Sequence, residues 1–477
     1  MTGCDFPFYS DIFRVDCPVM NRVIAEAMSS GAGYADLYFE NTEYRDLLLR
    51  DGEVAFGGMH VDFGMGVRAL DGERTGYSYC ETTALPEMIK AARSASCVAS
   101  GGKFSLVNAG NVTDCRDGRN GYYRMDRAWD ESDTSALAGI LKKLETFVKR
   151  KDERILKVIA RLSSSVSHVL MYNSIGQLCC DTRPMGSIAA SIVFSDGRTT
   201  DNRSASRSFR CGAEMLTDSL LDELAVELVS GISPMLEAGR PCGGKMPVVM
   251  GCGASGILLH EAMGHAFEAD FIRKGQSVFC DRMGQQVCPR GINVVDDATW
   301  YGNRGSCNFD DELVPGQKTY MVADGVLTSF LHDRISAKCS GVVPTGNGRR
   351  ESFRFNPIPR MTLTYMESGN AEPSDMISDI KKGIYVDEFS NGQVKIGEGD
   401  FTFYVKSGRM IENGRLTMPV KDINIVGNGP RALSDIIAVG NDLKIDNGTW
   451  ICGKEQNVPV GCGMPTVTVR ELIVGGE

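Results

Sequence analysis

The chain has 477 residues, a formal net charge of −10, and 42% hydrophobic and 23% charged residues. That length exceeds what one hydrophobic core usually serves, so two or more domains are expected. The acidic balance argues against a broad electrostatic grip on nucleic acid or an anionic membrane, and no apolar run approaches the ~18–20 residues that span a bilayer. The start, Met1 to Phe6, lacks a basic stretch followed by an apolar one, so no signal peptide is expected. The 16 cysteines, with no C-x-x-C among them, then read as reduced and mainly buried, and the protein as soluble and cytoplasmic.

In chain order, Val19 to about Ser30 reads as a helix stopped at Gly31-Ala32-Gly33. Short strands follow at Tyr34–Glu40, Tyr44–Arg50, Glu53–Gly58 and Val61–Leu70, with tight turns at Asp51-Gly52 and Asp71-Gly72. A helix over Leu85–Ser96 precedes a polar surface loop at 100–120. Ser135–Val158 reads as one amphipathic helix whose lysine clusters are interleaved with acids, a solvated face rather than a nucleic-acid contact. Strands at Val166–Tyr172, Gln177–Thr182 and Ile188–Ser195 lead to a long helix over Ala213–Leu236. The first half is thus expected to be an α+β domain over 1–238, with sub-blocks 1–105 and 120–238 and no residue-level repeat between them.

Gly239 to Gly244 reads as a linker to a second domain, 245–477. There a strand at Met246–Met250 enters a helix from Ile257 to about Phe271, and hairpins are expected at Asp324-Gly325, Asn391-Gly392 and Asn413-Gly414. The overall expectation is an α+β fold of two domains, with hairpin-rich antiparallel and barrel-like sheets, packed helices, and one central helix in the C-terminal domain.

That helix carries the chemistry. His260-Glu261-Ala262-Met263-Gly264-His265 uses two of only five histidines and sets a carboxylate beside the first. Two neutral imidazoles can hold a transition metal, and an adjacent carboxylate can take a proton from water activated there. On a regular α-helix, however, residues i and i+5 lie ~140° apart. Both rings can reach one ion only if the helix bulges, and Gly264 is the natural place for a π-type turn. The alternative is a buried helix whose histidines satisfy local hydrogen bonds. A third ligand is also required, and spacing leaves Glu268 and Cys452 both open. The run Gly251-x-Gly253-x-x-Gly256 matches a dinucleotide fingerprint between a strand and a helix, but no return strand with a ribose-binding acid follows.

The stretch Leu259 to Asp270 resembles the TldD/PmbA family, and within it the TldD type. Further matches are Val295-Asp296-Asp297, Asp310-Asp311-Glu312, Thr345 to Arg350, Pro359 to Thr362, Cys452-Gly453-Lys454, Val458-Pro459-Val460 and Val474-Gly475-Gly476, with looser ones at Gly33–Leu37 and Gly64–Arg68. The resemblance implies a zinc metallopeptidase that degrades unfolded peptides held extended between domains. Zn2+ is then held by His260, His265 and Cys452, Glu261 is the catalytic base, and Glu268 orients a ligand or the water. It also implies a homodimer, or a heterodimer with a PmbA-like subunit, with no direct contact to nucleic acid or membrane. The family's description as modulators of DNA gyrase reads as an indirect consequence of proteolysis. The rival expectation is a non-catalytic regulatory or assembly subunit. Two departures are Leu363, where a polar residue is usual, and Glu455-Gln456-Asn457, where Gly-Gln is usual; both are expected at substrate contacts.

Overall fold

The structure is a computed structural model that describes residues 5–99, 112–118 and 121–475. Its first half comprises α1 (Phe6–Phe13), α2 (Cys17–Ala27), β1 (Tyr34–Arg50), β2 (Glu53–Asp71), β3 (Arg74–Cys80), α3 (Leu85–Ala99), β4 (Asp114–Asp117), α4 (Thr134–Lys151), β5 (Ile155–Asn173), β6 (Gln177–Ser195), β7 (Thr200–Phe209), α5 (Asp218–Ser230) and α6 (Ile232–Glu237). One sheet, ordered β3-β2-β1-β5-β6, takes strands from both sub-blocks, with β7 and β4 both pairing β6. A helix, three strands and a helix thus occur twice, and the copies join where β1 and β5 run antiparallel. This is a pseudo-twofold arrangement that the residues themselves do not betray.

Side-chain alternation decides where everything else packs. Ala35, Leu37, Phe39, Leu47 and Leu49 share one face of β1 and meet the helices, α2 and α3 at one end and α4 and α5 at the other. The opposite face turns Tyr38, Val169, Met171 and Cys179 toward Leu313 and Phe353 of the second half. The second half therefore sits against the helix-free face.

Several segments differ from the sequence expectation. The paired short strands merge into β1 and β2, because Asn41-Thr42-Glu43 pairs across to both neighbours instead of turning. In the same way β6 runs unbroken through Pro184, which falls between the residues claimed by β4 and those claimed by β7. There the strand has a free edge and a missing N–H does no harm. The helix at 135–158 stops at Lys151: Asp152 turns extended, and Ile155 to Val158 already belong to β5. Its Lys143, Lys149 and Lys151 pair with Asp218, Glu145 and Asp222. Thr217 caps α5 afresh, and Gly231 separates α5 from α6, so 213–236 is not one helix. Of the loop at 100–120, Asp114–Asp117 form a strand and residues 100–111, 119 and 120 lie outside the described residues.

In the second half, β8 (Gly244–Met250) joins a sheet that closes on itself: Lys382–Lys395, β8, Val467–Gly475, Ile423–Asn428, Asp400–Glu412 and back to Lys382–Lys395. All these pairings are antiparallel except β8 with Lys382–Lys395. Hairpins turn at Asp324-Gly325 and Asn413-Gly414 as the sequence suggests. Asn391-Gly392 does not turn; both lie mid-strand, opposite Tyr404 and Phe403. A Cβ on Gly392 would stand 2.1 Å from the Phe403 ring, so the glycine accommodates a cross-strand aromatic, and the chain reverses at 396–399. A second sheet of six strands, including Val294–Asp297, Leu363–Met366 and Gly461–Met464, shares one core with the barrel, and the central helix lies in it through Leu259, Met263 and Phe267.

The two halves are pinned by charge. Arg68 is fully buried on β2; its Nε donates to Asp36 Oδ2 at 2.9 Å and its Nη1 to Glu312 Oε1 at 2.6 Å. Burial penalises the Arg68 cation, but the two carboxylates outweigh that and hold its pKa well above the ordinary value. Removing one partner strands the others in a low dielectric. Arg68→Met is expected to cost on the order of 3–5 kcal/mol in chemical denaturation, far more than Arg161→Met at the exposed pair with Asp46; equal losses would contradict this.

Candidate metal centre

The central helix is not a regular one. α7 (Gly256–Leu259) gives way to a π-turn at His260–Gly264, one 3₁₀ turn at His265–Phe267, and α8 (Ala269–Arg273). The His265 amide donates to the His260 carbonyl, the i→i+5 bond that defines a π-turn. This underwinding brings the two imidazoles onto one side, with ring centroids 5.1 Å apart and planes at 83°. Gly264 stands at the bulge, and a Cβ there would lie 2.1 Å from Met361 Sδ.

Cys452 arrives from a two-stranded ribbon, Ile451–Lys454 paired with Gln456–Pro459. Its Sγ lies 3.3 Å from His265 Nε2. Ligand atoms of His260, His265 and Cys452 all fall within 4.8 Å of one another, and all three residues are buried. Ordinary zinc bond lengths in a tetrahedron put sulfur and nitrogen about 3.6 Å apart, so the cluster has the right size. His260 Nδ1 is buried with no hydrogen-bond partner, a polar atom whose cost an ion nearby would offset. The two-imidazole, one-thiol set therefore fits a tetrahedral ion and leaves one position open.

The electrostatics agree. Burial alone pushes the Cys452 thiol up, but the adjacent His260 and His265 outweigh it and bring it down to about 5. His265 is lowered by burial and raised more strongly by Glu268 and Cys452, so it stands well above the usual imidazole range. The metal-free cluster is thus a thiolate–imidazolium pair, and a cation taking its place displaces the proton.

Glu268 is not in the cluster. Its Oε2 lies 2.9 Å from His265 Nδ1, which leaves Nε2 turned toward Cys452. Burial opposes its charge, yet Lys454, His265 and Arg360 win and hold the carboxyl at about 2. Lys454 Nζ sits 3.1 Å from Glu268 Oε2 and 2.7 Å from Asp270 Oδ1. Arg360 approaches Glu268 at 3.7 Å and donates to the carbonyls of Cys452 and Gln456, tying the ribbon to the helix. Lys454, Asp270 and Arg360 are supporting residues to which motif reading gives no role, although all three lie in stretches that carry the family resemblance. Glu261, next to His260, is half-buried and has no side-chain hydrogen bond or ion pair among the described residues.

Comparison with known proteins identifies the chain. The PmbA/TldA metallopeptidase C-terminal domain matches residues 243–476, domain 1 matches 35–96, and the central domain matches 127–230. The chain belongs to the PmbA/TldD family. It is 35% identical over 451 residues to the metalloprotease TldD homologue of Haemophilus influenzae, covering 93% of each chain. A zinc metalloprotease TldD homologue of Saccharolobus solfataricus is 31% identical over 258 residues, covering 54% of this chain and 57% of that one. Two solved structures share the fold. A Thermotoga maritima protein named for DNA gyrase modulation has a TM-score of 0.76 at 22% identity, covering 96% of this chain and 99% of its own. TldE of Thermococcus kodakarensis has a TM-score of 0.72 at 17% identity, covering 96% and 100%.

Other motifs shared with the PmbA/TldD family form the frame. Asp296 accepts from Thr362, Thr364 and Asn347, and the Asp310 carboxylate from the amides of Gly348, Glu312 and Val314. Leu363 is fully buried against Val295 and Tyr365, in core rather than at a substrate contact. Glu455 turns the ribbon at φ 58°, a left-handed position where the family's glycine is better suited. The glycine run 251–256 serves packing: Gly253 has φ 87°, and a Cβ on Gly256 would lie 2.7 Å from the Gly463 backbone. Among the described residues no helix is long and apolar enough to cross a membrane.

A carboxyl depressed from 4.5 to about 2 stabilises the fold above its unfolded pKa and loses that contribution as pH falls through the folded one. In chelator-treated protein, urea midpoints of the parent and Glu268→Gln should differ at neutral pH and converge between about pH 4.5 and 2. A gap that widens on acidification would contradict the assignment.

Proposed function

We propose that the chain is a zinc-dependent peptidase acting on unfolded or extended peptides in the cleft between its two halves. The observation that carries this is a buried His2Cys cluster of tetrahedral size beside a half-buried carboxylate with no side-chain partner among the described residues. His260, His265 and Cys452 would hold the ion, with Glu268 keeping His265 oriented. Zinc bound there supplies Lewis acidity toward a scissile carbonyl and makes a water acidic near neutral pH. Glu261 takes the proton from that water as it attacks, then delivers it to the leaving amine. A structural metal has no use for such a base, which favours catalysis over a regulatory subunit.

The Cys452 strand belongs to a ribbon that has two strands among the described residues, a place where extended backbone can add with little sequence preference. A cytoplasmic homodimer, or a heterodimer with a PmbA-like subunit, completes the proposal; light scattering of the chain alone separates the two.

Glu261→Gln is expected to keep about one zinc per chain and lose 10²–10⁴-fold in hydrolysis of an unstructured peptide. Full hydrolysis by that variant would exclude Glu261 as the base. Cys452→Ser should lose zinc stoichiometry by elemental analysis, whereas Glu268→Gln should weaken zinc affinity about 10–100-fold without removing the site. The reverse pattern would make Glu268 the third ligand.

A further inference from the structure

Where the helix-free face of the first sheet meets the second half, a cavity of about 270 Å³ opens behind the Cys452 ribbon. Ile451, Asn457 and Pro459 of the ribbon form one side. Arg210, Arg304 and Arg349 form another, and they are 93%, 92% and 95% removed from solvent by their 7%, 8% and 5% exposures. None of the three has a carboxylate within salt-bridge distance among the described residues. Arg304 donates to the Trp450 carbonyl at 2.8 Å and to Ser208 Oγ at 2.6 Å. Arg349 donates to the carbonyls of Met361 and Pro459. Arg210 gives only its Nε, to the Arg304 carbonyl at 3.2 Å, and lies over the Tyr123 ring.

Other charges around the cavity are already engaged. Arg183 pairs with Asp181 and Asp311, and Arg350 lies over Tyr38 with Asp36 at 3.9 Å. Glu40 accepts from Phe353 N and Thr42, and Glu351 from Asn457 N. Asp310 takes three backbone amides, and burial and the neighbouring Glu312 raise its pKa. Burial, then mutual repulsion with Arg210 and Arg349, brings Arg304 down to about 10. Buried cations are ordinarily matched by anions; these three are matched by neutral oxygens, with guanidinium N–H groups to spare.

We propose that this cavity is a carboxylate pocket, in which Arg210, Arg304 and Arg349 receive a carboxylate of the bound peptide. Planar guanidinium groups match a carboxylate in fork geometry, and the acids across the cavity disfavour a dianion such as phosphate. The pocket shares its wall with the metal cluster: Ile451 precedes Cys452, and Arg349 holds Met361, which packs on Gly264. A peptide anchored here lies one strand layer from the zinc ligands. The identity of the ligand as a peptide rests on the peptidase reading above; the pocket itself does not.

The test uses zinc-loaded Glu261→Gln protein and an N-terminally labelled, unstructured peptide without acidic residues, made as free acid, as C-terminal amide, and as amide with one internal Glu. By fluorescence anisotropy, the free acid or the Glu-containing amide is expected to bind at least ~10-fold tighter than the plain amide, and which of them does so separates chain end from side chain. In Arg210→Gln the preference should shrink to within about twofold while the plain amide binds as before. If that variant does not fold, phenylglyoxal labelling of the unsubstituted protein reads the same thing: the favoured peptide should protect Arg210 and the plain amide should not. Equal binding of all three peptides, a preference that survives Arg210→Gln, or equal protection by inorganic phosphate overturns the proposal. Hydrolysis by the parent without any preference sinks the pocket alone; preference without hydrolysis sinks the peptidase reading alone.

Discussion

Everything about the candidate metal centre depends on one geometric constraint: two histidines five residues apart must face the same way. A regular helix forbids it, and the π-turn at His260–Gly264 permits it by giving up regularity. The cost is local. The remaining α-helical pieces, four and five residues long, are too short to nucleate on their own. The segment is helical because its surroundings make it so: Gly256 lies against the Gly463 backbone, Gly264 under Met361, and Leu259, Met263 and Phe267 in the core shared with the barrel. A site of this shape is a property of the tertiary fold more than of the helix that carries it.

Around that segment, charge is used as framework. Buried carboxylates and arginines away from the cluster mostly hold backbone: Asp296, Asp310 and Asp311 gather amides and hydroxyls, while Arg349 and Arg360 gather carbonyls. Irregular backbone buried between two halves has no ladder to satisfy it, so side chains take that part. This explains why family motifs scattered over the second half converge in space without joining the metal cluster.

Much of this was legible from residues and some was not. Asp51-Gly52, Asp324-Gly325 and Asn413-Gly414 turn where their chemistry says, whereas at Asp71-Gly72 the turn falls one residue on, at Gly72-Glu73, with Asp71 still paired to Arg74. Asn391-Gly392 has the same chemistry but sits opposite Phe403, and cross-strand packing overrides local preference. Long strands resemble pairs of short ones in sequence, since polar or proline-containing middles such as Asn41–Glu43 and Pro184 look like breaks until their partners are known. At the site, the need for a bulge at Gly264 followed from arithmetic alone. The choice between Cys452 and Glu268 did not, and required knowing which one reaches His265 Nε2 and which Nδ1. The pseudo-twofold first half was invisible because its copies share topology and alternation, not residues.

Cys452 follows His265 by 187 positions, and three of the five strands that close the barrel and five of the six strands of the second sheet come from the chain between them. During synthesis the two histidines emerge long before the thiol that completes their cluster. A half-made chain carries His260, Glu261 and His265 but not Cys452, whose ribbon follows most of the core it docks on. If this centre cuts unfolded polypeptide, its own nascent chain is the first such polypeptide it meets. On that reading, dividing the cluster across so much sequence would withhold the activity until the molecule is no longer its own substrate.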